Sequence, residues 1–418
     1  MIRVMRSIPI GRLVLAAVLA ASLLPAPARA QSTDGEDPFP PELEADLSAG
    51  ATALYRLDFD HAEEHIAEAV RKRPDHPSAH FFRLILIWYR LTYDSLLNRD
   101  QALEREFGEQ AERTARAAEN YSLNRDKAIG YLYWGGALGA TGWYYVMKRQ
   151  WVRAYFSGKK GLAYVKKVLR LNPRIYDAHL GMGMYQYYAA TLGPALKVLS
   201  YFFIRGDREE AFLHLRLAES RGRYVRAEAA YFLWNAAMDE GRLAEAEEQV
   251  KALLRAYPGS PFMAWCEIQT LFYQKRWQEV LRKAEEFAVK AGEVAPSADM
   301  RNTYSLLLAK VFYHAGAAQF NLGRIDLAKG YFEKAVDQPA EFSGWRTMGQ
   351  LRLGEIHDLE NRRDQALKRY RAVLDLTDIW DSRKTARQRI KTPYQKTLNG
   401  GEAVMLSPLQ LWNKDLED

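Results

Sequence analysis

The sequence predicts an all-α protein built from antiparallel pairs of helices, and three observations support this. Apolar residues recur at helical spacing almost to the end of the chain. Runs of alternating apolar and polar residues, which would indicate strands, do not occur. Helix breakers return along the chain, at Pro74, Pro77, Pro173, Gly206, Gly222, Pro258, Pro261, Gly323 and Pro339. Such punctuation indicates an internal repeat.

The clearest repeat unit covers residues 227–260, AEAAYFLWNAAMDEGRLAEAEEQVKALLRAYPGS. Its first helix is predicted to end before Gly241, and its second helix to end at Pro258. The next unit begins at Pro261, 34 residues after the first began. The unit resembles the tetratricopeptide repeat, in which small residues let two helices approach closely and large apolar residues fill the groove between them.

Four other segments resemble the same repeat. One is AGAAQFNLGRIDLAKGYFEKAVDQP, through Gly316, Gly323, Ala328, Phe332, Ala335 and Pro339. The others match through Gly50, Ala62, Ile66, Ala69 and Pro74, through Gly206, Ala211, Leu215 and Ala218, and through Gly354, Ala366 and Tyr370. The resemblance implies a right-handed superhelical solenoid with a concave groove lined by the first helix of each pair.

The sequence also departs from the repeat. Asn361 stands where the glycine between the two helices is expected, and the step from Gly316 to Gly354 is 38 residues. Between Pro77 and Pro173 the helices are predicted to be longer than one repeat allows. A narrower likeness, carried by YDAHLGMGMYQYYAATLGPALKVLSYFFIRGDREEAFLHLRLA, is to a tetratricopeptide family best known from a mitochondrial outer-membrane protein of inclusion clearance, which has bacterial members.

The first thirty residues have the features of a secretory signal peptide. Three arginines precede an apolar run of twelve residues, 13–24, and Ala28-Arg29-Ala30 forms a small-x-small cleavage motif. The run is shorter than the roughly 20 residues that span a bilayer, so cleavage after Ala30 is predicted rather than a membrane anchor. The domain prediction is a signal peptide (1–30), a flexible acidic arm (31–44), a tetratricopeptide-like domain (45–392) and a C-terminal tail (393–418).

Charge and cysteine content limit the partners and the compartment. The signal peptide contains four arginines and no acid, so its removal reduces the formal net charge from +7 to +3. Such mild basicity does not favour nucleic acid as a partner. The chain has one cysteine, Cys266, and therefore no internal disulfide. We expect an exported bacterial protein in the periplasm or another extracytoplasmic space, and not an integral membrane protein.

The concave groove is the first candidate binding site. If the register of the family applies, eight partner-binding residues face the groove: Tyr231, Asn235, Trp265, Gln269, Phe272, Tyr273, Tyr313 and Asn321. Aromatic rings and amides suit a peptide ligand, because rigid rings bury area at low entropic cost and amides satisfy backbone groups. The same rings could instead pack between neighbouring pairs. The favoured function is a non-enzymatic adaptor of the cell envelope that binds another protein or peptide.

A basic, aromatic segment from Thr141 to Tyr176 is the second candidate. It contains nine lysines or arginines and no acidic residue. Residues 150–173 are predicted to form the second helix of a pair with these cations on its outer face: Lys159, Lys160, Lys166, Lys167 and Arg170. A charged outer face is often merely solvated. The alternative function is peripheral binding of an anionic lipid or cell-wall polymer.

The remaining motifs favour no chemistry. His61 and His65 lie one turn apart, but the metalloprotease pattern requires a glutamate where Ala62 stands. The apolar segment 192–203 is interpreted as a plug in the solenoid core or as a hairpin that touches a membrane. No nucleophile elbow, metal-ligand cluster or glycine-rich dinucleotide loop occurs in the sequence. We therefore predict no catalytic, cofactor-binding or metal-binding residue, and no enzymatic activity.

Overall fold

A computed structural model describes residues 39–91, 101–148, 150–191, 206–293, 298–338 and 344–395. Within those ranges the chain forms 17 α-helices and no β-strand. The all-α prediction is thereby confirmed. The predicted signal peptide, most of the predicted acidic arm, the segment 192–203 and most of the predicted C-terminal tail lie outside the described residues.

The helices follow one another with short connections. They are α1 (Pro41–Tyr55), α2 (Phe59–Lys72), α3 (Pro77–Arg90), α4 (Gln101–Asn124), α5 (Lys127–Met147), α6 (Trp151–Leu171), α7 (Ala178–Ala190), α8 (Arg208–Arg221), α9 (Arg226–Asp239), α10 (Leu243–Ala256), α11 (Pro261–Tyr273), α12 (Trp277–Glu293), α13 (Ala298–Asn321), α14 (Ile325–Val336), α15 (Gly344–Leu359), α16 (Arg363–Asp375) and α17 (Ser382–Lys391).

The helices divide into two compact units, with the boundary between Tyr257 and Pro258. The N-terminal unit contains α1–α10, and the C-terminal unit contains α11–α17. The sequence predicted a single repeat domain over 45–392. The repeat pattern in the sequence continues across this boundary. The pattern reflects the packing of each helix on its neighbours in the chain, and it contains no information on contacts between distant pairs.

Within each unit the helices pack as sequential pairs in two layers. Every helix packs on the next helix in sequence, and each odd-numbered helix also packs on the following odd-numbered helix. Even-numbered helices have substantial contacts only with their sequence neighbours among the described residues. Odd helices therefore form an inner layer and even helices an outer layer, which is the arrangement of a solenoid of helix pairs. This confirms the predicted architecture within each unit.

The turn inside five of the pairs contains one residue with a left-handed backbone. These residues are Leu57, Gly241, Lys275, Gly323 and Asn361, with φ between 58° and 75°. Glycine enters this conformation freely, and asparagine does so more easily than other residues with a side chain. Asn361 therefore replaces glycine in the same conformation, which explains the departure seen in the sequence.

Small residues on inner helices allow close packing of the outer helix, as predicted. A Cβ atom added to Gly354 would lie 2.5 Å from a ring carbon of Tyr370, and one added to Gly316 would lie 2.8 Å from a ring carbon of Phe332. Tyr370 and Phe332 are fully buried. Each large ring therefore occupies the space that the missing side chain leaves free.

The first helix begins earlier than the predicted domain. Helix α1 starts at Pro41, which lies inside the segment assigned to the flexible arm, and Phe39 and Leu43 are buried. Proline is favoured in the first turn of a helix, because it has no N–H group to leave unpaired there. Three of the four helices between Pro77 and Pro173 are long, as predicted: α4 has 24 residues, and α5 and α6 have 21 each. The first, α3, has 14 residues.

Candidate functional site

The inner face of the N-terminal unit is occupied by its own side chains. Glu228 on α9 accepts hydrogen bonds from the hydroxyls of Tyr55 on α1 and Tyr89 on α3, the latter at 2.9 Å. The ring of Tyr55 also contacts that of Tyr257, with centroids 4.6 Å apart. Burial raises the pKa of the Glu228 carboxyl, whereas the two tyrosine hydrogen bonds lower it.

A second set of contacts links the same ends of this unit. Arg223, between α8 and α9, donates from Nε to a carboxylate oxygen of Glu44 on α1 at 2.8 Å. The hydroxyl of Tyr224 donates to the same oxygen at 3.0 Å. The first and fifth helix pairs therefore meet across the inner face. Tyr231 and Asn235 lie on α9 and are partly exposed, and the ring of Tyr231 stacks on Trp234 with centroids 5.6 Å apart.

The other six groove residues lie in the C-terminal unit and fall into two groups. Trp265, Phe272 and Tyr313 are buried, with Phe272 and Tyr313 fully enclosed. These rings pack between helices, which is the second of the two roles that the sequence left open. Gln269, Tyr273 and Asn321 are partly exposed. Ligand binding by these six residues remains a prediction. Gln269, Tyr273 and Asn321 are the ones whose partial exposure allows contact with a ligand.

Lys310 on α13 is the most unusual group on this inner layer. Its ammonium lies 4.5 Å from the centroid of the Trp265 ring and forms no ion pair within the described residues. Desolvation by the surrounding protein lowers the pKa of Lys310 to about 8. The residue nevertheless remains partly exposed. Nearby on α11, the buried Oε1 of Gln269 has no hydrogen-bond partner.

His314 lies one turn after Lys310 on the same face of α13 and is fully buried. Its Nδ1 is 2.8 Å from the carbonyl oxygen of Lys310, so Nδ1 carries the proton and donates. Its ring contacts Phe272 and Trp345, with centroids 4.9 and 5.1 Å away. Desolvation lowers the pKa of His314 to about 4, so the ring is neutral at pH 7.

The lowered pKa of His314 predicts loss of stability in acid. In the unfolded chain the histidine takes a proton near pH 6.5, whereas the folded protein keeps it neutral down to about pH 4. Stability is therefore lost as pH falls through this window. We expect His314 to account for about 2 kcal/mol of the decrease in unfolding free energy between pH 7 and pH 5. Urea titrations of the wild type and of His314→Phe at both pH values measure this difference.

His61→Gln is the control for that experiment. His61 is exposed, and its hydrogen bond to Asp58 raises its pKa, so its contribution has the opposite sign. Removing His61 should leave the acid-induced loss unchanged or slightly larger. An equal pH dependence in the wild type and in His314→Phe would contradict the assignment.

The basic segment forms the predicted outer helix. Helix α6 packs on α5 as the second helix of its pair. Four of the five candidate cations are exposed and Lys159 is partly exposed: Lys159, Lys160, Lys166, Lys167 and Arg170. The ring of Trp134 on α5 stacks on that of Tyr164 on α6 at 4.7 Å, and lysines lie over both rings. The structure thus brings cations and rings together on one surface.

The remaining candidates are isolated. Within the described part of the chain, no three His, Cys, Asp or Glu side chains are placed to hold a metal ion. Cys266 is buried in α11, and burial raises the pKa of its thiol well above the usual value. Among the helices that the structure describes, none combines the length and apolar character needed to cross a bilayer.

Comparisons with known proteins are limited to solved structures. No protein-family model and no curated protein matches the chain. The crystal structure of yeast Tom70 is similar with a TM-score of 0.40 and 12% identity, covering 84% of this chain and 89% of Tom70. The TPR domain of P58(IPK) gives a TM-score of 0.21 and 13% identity, covering 85% and 100%. Because both TM-scores are below 0.5, the fold assignment rests on the helix contacts of this chain alone.

Sequence reasoning missed Lys310. The signal that could have identified it is a single cation inside an apolar helical stretch, LLLAKVFYHAGAAQF. A lysine at such a place must either leave the core or remain poorly solvated. The contacts between α1 and α9 were also missed, because residues more than 170 positions apart in the chain, such as Tyr55 and Glu228, share no local pattern.

Proposed function

We propose that the protein is a non-enzymatic interaction scaffold whose C-terminal unit binds an acidic segment of a partner protein along its inner layer. The observation that carries this proposal is the ammonium of Lys310, held against the Trp265 ring with no counterion among the described residues. A poorly solvated cation is costly unless an anion accompanies it. A partner carboxylate would supply that anion.

The surroundings of Lys310 suit a peptide better than a small ion. Gln269, Tyr273 and Asn321 are partly exposed on the same inner layer. The side chain of Gln269 therefore offers amide groups that suit the backbone of an extended peptide. A chain lying across α11 and α13 could therefore use an acidic side chain at Lys310 and backbone groups beside it.

The compartment belongs to the same proposal. The charge and hydropathy pattern of residues 1–30 supports export, and the partner would then be a protein of the bacterial cell envelope. The proposal also includes right-handed superhelical curvature, membership of the tetratricopeptide superfamily and the absence of catalysis. They are supported by the repeat pattern and by the two-layer packing of helix pairs.

The prediction of an acidic partner is tested by selecting, from a random displayed library, the peptides that bind the purified protein. We expect the selected peptides to be rich in Asp and Glu, and their affinity for Lys310→Met to fall about 10-fold, because one charge-assisted contact is lost. Binding should also weaken as pH rises through about 8, where Lys310 loses its proton in the free protein. Titration calorimetry on both proteins measures these changes.

Lys283→Met is the matched control, because Lys283 belongs to the outer helix α12 and already pairs with Glu267 at 2.9 Å. This variant should bind the selected peptides like the wild type. Lys310→Met should unfold at a higher temperature than the wild type, since an uncompensated charge is removed. Selected peptides without acidic enrichment, or equal binding by Lys310→Met, would refute the proposal.

A further inference from the structure

Of the outer helices that the structure describes, α6 is the one that contains cations but no Asp or Glu. On α4, Arg116 pairs with Glu112 at 3.3 Å, and on α10, Lys251 pairs with Glu247 at 2.6 Å. The charges on those outer surfaces largely cancel. None of the six cations of α6, which are the five candidates and Arg153, forms an ion pair within the described residues. Its outer face therefore carries uncompensated positive charge.

The five candidate cations lie along one stripe of the helix, together with Val152, Phe156 and Ala163. At 100° per residue, this stripe covers about 120° of the helix circumference. Aromatic rings hold several of the lysines: the Nζ of Lys167 is 5.1 and 4.9 Å from the ring centroids of Tyr131 and Tyr164, and that of Lys160 is 5.6 Å from Trp134. These contacts favour positions of the two ammonium groups on one surface before any partner binds.

The same stripe begins with exposed apolar side chains. Val152 is 71% exposed and Phe156 is 62% exposed, and both lie on the cationic side of α6. Leu171, at the other end of the helix, is also exposed. Exposed valine and phenylalanine gain nothing from a dissolved polyanion, but they gain free energy when they enter the boundary between lipid headgroups and acyl chains.

We propose that the outer face of α6 docks on a bilayer that contains anionic phospholipid. The lysines and Arg170 contact the headgroups, and Phe156 and Val152 enter the interface beside them. The complementarity of charge selects the anionic surface, and the exposed apolar groups select a bilayer over a soluble polymer. This surface lies in the outer layer of the N-terminal unit, so the inference is independent of the function proposed for Lys310.

Removal of two charges tests the electrostatic part. For vesicles made of equal amounts of phosphatidylcholine and phosphatidylglycerol, we expect Lys166→Gln with Lys167→Gln to weaken binding about 30-fold, at roughly 1 kcal/mol per basic residue. The purified protein without the predicted signal peptide, residues 31–418, is used in cosedimentation. The matched control is Arg113→Gln with Arg116→Gln on α4, which removes the same charge from cations that are already paired. The control should bind like the wild type.

A labelled side chain tests whether the face enters the bilayer. Cys266 is buried, so Phe156→Cys can be labelled alone with an environment-sensitive dye. Its emission should shift to shorter wavelength with the anionic vesicles and remain unchanged with pure phosphatidylcholine. A dye at Leu213→Cys, which is similarly exposed on the outer helix α8, should stay in water.

Three results would overturn the inference. One is equal binding by the Lys166/Lys167 variant and by the Arg113/Arg116 control. The second is a dye at position 156 that does not respond to anionic vesicles. The third is that the wild type binds a soluble polyphosphate as tightly as it binds vesicles, and that Phe156→Ser changes neither affinity. That result would assign the surface to a dissolved polyanion.

Discussion

Replacing Glu355 by alanine is expected to lower the free energy of unfolding by about 3–5 kcal/mol. Glu355 and Arg352 lie one turn apart on α15 and are 1% and 5% exposed. Arg352 donates from Nη1 to Glu355 Oε2 at 2.6 Å and from Nε to the hydroxyl of Tyr313 at 3.1 Å. The alanine variant leaves the guanidinium buried beside an empty space, because an arginine does not lose its proton inside a protein.

Urea unfolding of two further variants identifies the cause. The double variant Arg352→Met with Glu355→Leu removes both buried charges and should regain most of the lost stability, since a buried ion pair is often no better than apolar side chains of similar size. Arg389, whose Nε lies 3.5 Å from Glu355 Oε1, loses this partner in both variants, but its side chain is 27% exposed and stays in contact with water. Glu286→Ala breaks the exposed pair with Arg282 and should cost less than about 1 kcal/mol. If Glu355→Ala were as mild as Glu286→Ala, Arg352 would have to be solvated in the folded protein.

Gly130→Ala is expected to cost about 3 kcal/mol of unfolding free energy. Gly130 lies in the first turns of α5, against α4. A Cβ atom there would come within 2.6 Å of the carbonyl oxygen of Ala118 and of the backbone nitrogen of Ser122. Both are backbone atoms of α4, so no side chain can rotate away and the two helices must separate.

Gly139→Ala provides the comparison within the same helix. Apart from the neighbouring residues and backbone of its own helix, no atom lies within 4 Å of the Cβ position at Gly139. Because alanine is a better helix former, this variant should be stabilised by roughly 0.5–1 kcal/mol. Thermal or urea unfolding of both variants measures whether each substitution raises or lowers the free energy of unfolding. A similar effect of both substitutions would show that the contact between α4 and α5 does not depend on the missing side chain.

The sequence predicted the parts of the fold that depend on neighbours in the chain. Gly316 and Gly354 mark close contacts with the ring that follows in the same pair, and Asn361 takes the left-handed turn expected of glycine. These contacts span fewer than 20 residues and repeat along the chain. A single sequence is enough to show such a pattern.

Contacts between distant pairs could not be predicted in the same way. The hydrogen bonds from Tyr55 and Tyr89 to Glu228, and the boundary after Tyr257, depend on the curvature accumulated over several pairs. Small rotations at each interface set that curvature, and no residue type encodes them alone. For the same reason the family register could not decide that Phe272 and Tyr313 are enclosed while Lys310 keeps an exposed side.

The hydrogen bonds that join α1 to α9 change how the N-terminal unit can lose its structure. In a linear array of repeats, a terminal repeat can melt while the others persist, since it has only one neighbour. Here, detaching α1 also strips the Glu44 carboxylate from Arg223 and Tyr224 near the start of α9. The two ends of this unit therefore stabilise one another. Fraying that begins at the first helix also breaks hydrogen bonds at the fifth pair, which raises its free-energy cost.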